Sequence, residues 1–85
     1  MPEQEIGVVT HYFDRPKVAI VKVSAGPVAV GDQLRFHGHT TEFTERVTSM
    51  EVDHKKVDAA KTGDEIAIQV VGRARQHDKV FKVTA

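Results

Sequence analysis

The sequence predicts an all-β domain, a small closed antiparallel barrel of about six strands. Three observations lead there. Short runs rich in β-branched and aromatic residues recur along the whole chain. Gly, Pro and Asp separate these runs at turn positions. No segment sustains a 3.6-residue apolar period over the length an independent helix needs. With 85 residues, 40% of them hydrophobic and 28% charged, the chain reads as a single domain over 1–85. Closure is the simplest way for so small a sheet to remove exposed edges.

The first strand is expected over 5–13, Glu-Ile-Gly-Val-Val-Thr-His-Tyr-Phe, with one of Tyr12 and Phe13 exposed by the alternation. Asp14-Arg15-Pro16 turns the chain into a second strand over 17–24, which makes a hairpin. Ala25-Gly26-Pro27 and Val30-Gly31-Asp32 bracket a short excursion. Residues 33–39 alternate with period two, which sends Leu34 and Phe36 to the core and Arg35, His37 and His39 to the opposite face. Residues 40–44 read as a loop carrying Phe43, and 46–54 as a fourth strand. Val57-Asp58-Ala59-Ala60-Lys61 is the one competitor for helix, limited to a single turn by Gly63. The fifth strand, 65–71, places Ile66, Ile68 and Val70 on one face, and a loop over 72–79 leads to a sixth at 80–83.

Composition excludes several chemistries. The chain has no Cys, hence no disulfide, thiolate metal site or thiol nucleophile. The longest apolar stretch, Val18-Ala19-Ile20-Val21, is far too short for a membrane helix, and the N-terminus is acidic rather than a basic leader. A cytoplasmic protein without a membrane partner is expected. Twelve Lys and Arg balance twelve Asp and Glu, which argues against wholesale wrapping of nucleic acid and leaves room for a local basic patch.

Two phrases carry a family resemblance: Val28-Ala29-Val30-Gly31-Asp32 leading into a strand, and Val57-Asp58-Ala59-Ala60-Lys61-Thr62-Gly63-Asp64-Glu65-Ile66-Ala67-Ile68. In order and spacing they resemble the second, β-barrel domain of translational GTPases such as elongation factor Tu. Gly38-His39-Thr40-Thr41-Glu42-Phe43 is similar to the small translation elongation factor-like proteins. Similar barrels also occur as the C-terminal part of collagenase-like peptidase homologues, as a non-catalytic appendage. Each Gly-Asp turn has its own rationale, since Gly accepts positive φ and Asp bonds nearby amides. There is no Gly-x-x-x-x-Gly-Lys-Ser/Thr segment, so no GTPase activity and no nucleotide cofactor are expected.

The resemblance implies a non-catalytic module that binds tRNA, ribosomal RNA or a ribonucleoprotein. The alternative is an adaptor that docks a larger translation or RNA-modification partner. The RNA site is expected on Arg35, His37 and His39 with Arg73, Arg75 and Lys79, where cations and imidazoles contact phosphate and stack on bases. Phe43 is the candidate for partner docking, packing over the barrel being its other role. Glu3, Glu5 and Asp14 make the N-terminal stretch acidic, and these acids can instead pair with the basic loop. His37 and His39 on one strand face suit a divalent ion only with a third ligand from His11, His54 or a carboxylate, and no metal site is expected. No Gly-x-Ser-x-Gly elbow, His-Glu-x-x-His helix or paired carboxylate stands out, so no catalytic residue is assigned and no enzyme is expected.

Overall fold

The computed structural model describes residues 3–84. Its regular elements are all strands: β1 (Glu3–Phe13), β2 (Val18–Val23), β3 (Val28–Ala29), β4 (Gln33–His37), β5 (Glu42–Arg46), β6 (Met50–Val52), β7 (Lys55–Val57), β8 (Ala59–Ala60), β9 (Glu65–Gln69) and β10 (Lys79–Val83). Eight of them form one antiparallel sheet in the order β5-β4-β10-β1-β2-β9-β6-β7, and β3 pairs with β8 in a separate ribbon. The all-β expectation holds, whereas the closed six-stranded barrel does not. β5 and β7 are free ends of the sheet, and no ladder joins them. Across the gap beside β5 the link is a side chain: the Glu45 carboxylate accepts the Val71 N–H at 2.8 and 3.0 Å.

Alternation builds the core. Leu34 and Phe36 of β4, Ile66 and Ile68 of β9, and Val21 and Val23 of β2 are buried with Ile6, Val9, Met50, Val70 and Val80. β1 runs through the middle of the sheet and shifts register twice, between Glu5 and Gly7 against β10 and between Val9 and His11 against β2. These bulges curl the long strand so that its neighbours wrap one core. Of the aromatic pair at its end, Phe13 is exposed and Tyr12 packs on the core.

Three strand entrances share one turn. In Ala29-Val30-Gly31-Asp32 the Asp32 N–H donates to the Ala29 carbonyl at 3.0 Å, while Asp32 Oδ2 accepts the Ala29 N–H at 2.8 Å. Lys61-Thr62-Gly63-Asp64 repeats both bonds at 3.1 and 3.0 Å, and Arg75-Gln76-His77-Asp78 repeats them at 3.1 and 2.8 Å. The third position takes positive φ each time: 100° at Gly31, 99° at Gly63 and 77° at His77. This is the type II turn with a carboxylate reaching back over it. The three copies deliver the chain into β4, β9 and β10. The last also docks on β1, where His77 N–H donates to the Val9 carbonyl and Val9 N–H to the Asp78 carbonyl.

Two expected elements change. Residues 46–54 are not one strand: Arg46 ends β5, Met50–Val52 forms β6, and Asp53 and His54 turn the chain at φ 53° and 65° into β7. The expected loop over 40–44 is largely β5, and the competitor for helix is strand β8.

His77 occupies a conformation that glycine adopts without a Cβ clash, so His77→Gly is expected to raise unfolding free energy by about 1 kcal/mol. Asp78→Ala removes the carboxylate that closes the same turn and is expected to lower it by about 1.5–3 kcal/mol. Ile66→Ala, a core truncation, is expected to lower it by about 2–5 kcal/mol. Urea denaturation of the three variants checks all three values.

Candidate functional site

The expected basic row lies on the outer face of β5-β4-β10-β1, behind the buried Leu34 and Phe36. Arg35 sits at its centre, opposite Thr44 on β5 and Phe81 on β10. Its guanidinium makes a bidentate pair with Glu42, Nε to Oε2 at 2.7 Å and Nη2 to Oε1 at 2.9 Å. Nη1 donates to Glu3 Oε1 at 2.8 Å, and the group lies 5.7 Å from the centre of the Phe81 ring. His37 Nδ1 stands 2.8 Å from Glu42 Oε1 and donates to it. The bond from Arg35, joined by that from His37, lowers the Glu42 carboxyl to about 2. The same bond from Glu42, joined by Glu3, raises Arg35 further above its ordinary range.

This geometry alters what the row can do. Arg35 is engaged by two carboxylates. The three residues 35, 37 and 39 do not share a face, because β4 ends at His37 and His39 falls in the turn closed by the Gly38 N–H to Thr41 carbonyl bond. Lys79 is the cross-strand neighbour of His37 and is exposed. Arg73 pairs with Asp14 at 3.5 Å, at the opposite end of β1 from the Glu3–Arg35 pair. Arg75 is exposed at the first position of the third Asp turn, which leads into β10. Glu3 and Asp14 of the acidic stretch thus pair at the surface with Arg35 and Arg73. Among the described residues no group of three or more His, Asp or Glu has a metal-holding arrangement.

Phe43 lies on the inner face of β5, half-buried, with its ring stacked on Phe36 at 4.7 Å and 11°. What the sequence reading missed is beside it. A groove of about 490 Å³ opens between β5 and the end of β9, lined by Lys17, Glu45, Arg46, Thr48, Gln69 and Val71. Val71 is 81% exposed at its rim. The one signal for β5 was the strand-favouring Phe43-Thr44 pair among charged residues. No helix among the described residues is long and apolar enough to cross a membrane.

No family model matches the chain. Over 78 residues, 91% of its length, the chain is 31% identical to a Methanocaldococcus jannaschii protein named an uncharacterized protease, of which it covers 19%. Over 78 residues it is 28% identical to a collagenase of Porphyromonas gingivalis, of which it covers 22%. The chain thus spans about a fifth of the length of these curated relatives. Among solved structures it resembles the C-terminal domain of a Geobacillus thermoleovorans protein described as a U32 peptidase, with TM-score 0.87 and 19% identity over 95% of this chain and 93% of that one. The selenomethionine variant of that domain gives TM-score 0.84 over 91% and 96%. That likeness is one of fold. These findings correct the resemblance to translation elongation factors, and with it the expected RNA-binding module and its translation adaptor alternative: the relatives carry peptidase names. They correct equally the expectation of no enzymatic role, since those names are of proteases and collagenases. Of the three resemblances in the sequence, the one to collagenase-like peptidases is the one the relatives match.

The folded-state pKa of Glu42 lies below its ordinary 4.5, so its contribution to stability is full above that value and is lost as pH falls toward 2. Glu42→Gln is expected to flatten the stability curve between those limits. Thermal melts of both proteins from pH 6 to pH 2 read the difference, and a carboxyl titration by NMR is expected to place the Glu42 midpoint near 2.

Proposed function

We propose that this chain is the β-sheet domain of a U32-type peptidase and acts in proteolysis with the larger part of such an enzyme. The observation that carries this reading is the coverage. Its counterpart occupies 91% of this chain but 19% of the M. jannaschii protease and 22% of the P. gingivalis collagenase. The fold supports the same place, since the matching solved structures are of a C-terminal domain. The substrate class is then protein.

A chimaera tests it. Deleting the 78 matching residues from the M. jannaschii relative is expected to raise KM for a denatured-collagen substrate about tenfold or more, and inserting this chain in their place is expected to restore it. A deletion variant with unchanged kinetics, or a folded chimaera no better than the deletion, overturns the reading.

A further inference from the structure

The open edge of β5 is a second feature, independent of the peptidase reading. β5 is joined to β4 in the register Leu34 with Glu45 and Phe36 with Phe43. The bonds flanking that ladder, Gly38 N–H to the Thr41 carbonyl and Val47 N–H to the Asp32 carbonyl, fix its phase. Residues 41, 43, 45 and 47 therefore turn their backbone groups toward β4, and Glu42, Thr44 and Arg46 turn theirs outward. β5 ends the sheet, and among the described residues no backbone bond beyond its ladder involves Glu42, Thr44 or Arg46. All three residues are exposed. The other end of the sheet is guarded differently, by Lys55 and Lys56 on three-residue β7.

The groove beside β5 has the size of a ligand site, about 490 Å³. Its charges have a sign. The Glu45 carboxylate is held by the Val71 amide, and among the described residues neither Lys17 nor Arg46 stands in an ion pair. Val71 offers an apolar contact at the rim. We infer that β5 takes up an extended acidic peptide as an added strand, its backbone pairing with Glu42, Thr44 and Arg46 and its carboxylates meeting Lys17 and Arg46. Backbone pairing supplies affinity whatever the side chains, and the two cations select for carboxylates.

The test is an amide NMR titration of the whole 85-residue chain. The probe is a blocked seven-residue peptide alternating glutamate with valine, compared with the same peptide carrying glutamine or lysine for glutamate. Saturable shifts on residues 42–46, 17 and 69–71, with slowed exchange at Thr44, are the expected result. Thr44→Pro deletes one outward N–H at an edge position that tolerates proline and is expected to weaken binding about tenfold. Arg46→Glu keeps the backbone donor and is expected to weaken the glutamate peptide about tenfold while improving the lysine peptide. Unchanged amide dispersion elsewhere shows that both variants fold. Shifts on another face, equal binding of the glutamate and lysine peptides, or full affinity in both variants overturns the inference. So do β5 shifts that depend on protein concentration without peptide, which mark pairing with a second copy.

Discussion

Three aspartates reaching back over positive-φ turns set where the strands of this protein begin. Asp32, Asp64 and Asp78 each accept the amide three residues earlier and return their own N–H to its carbonyl. A strand start is otherwise loosely specified, and a one-residue slip turns every side chain to the wrong face. Here the slip is blocked at the entrance, so Leu34, Ile66 and Val80 face inward from β4, β9 and β10. β9 and β10 flank the central β1–β2 hairpin on its two sides. The core follows from that placement.

What was legible in the sequence follows the same logic. Gly31-Asp32 and Gly63-Asp64 announce their turns, because glycine is the residue that positive φ favours. The third turn is hidden behind His77, which adopts that conformation at a cost, so the sequence presents 72–79 as an undivided loop. β4 and β9 were visible by alternation of apolar with polar residues. β5 was not, since one of its two inner positions is Glu45 rather than an apolar residue. The run over 46–54 misleads for the converse reason: Val47 and Met50 are both buried, but Val47 lies in the break between β5 and β6 and Met50 opens β6.

The candidate residues were less legible than the fold. Sequence spacing brings Arg35 and His37 to one face correctly, but the partners that define their chemistry lie elsewhere in the chain. Glu42 reaches them across the β4–β5 turn, and Glu3 from the far end of the sequence, through β1 and β10. A count of cations on one stretch therefore describes charge before folding, not the charge left accessible afterwards. On this surface the ion network screens one strong cation, while Lys17 and Arg46 beside the groove stand without a carboxylate partner among the described residues.

The place of β10 in the sheet governs the order in which the molecule can assemble. The β4–β5 hairpin is made early in the chain, yet among the described residues its only backbone ladder to the rest of the sheet runs through β10, between β4 and β1. Before β10 pairs, the hairpin has no ladder to join, and Leu34, Phe36 and Phe43 lie on a two-stranded ribbon that is not continuous with the central strands. Such a long-range closure delays folding relative to local pairing. β10 thus acts as the latch of the domain: a chain stopped short of it leaves the β4–β5 hairpin unpaired with the β1-β2-β9-β6-β7 sheet.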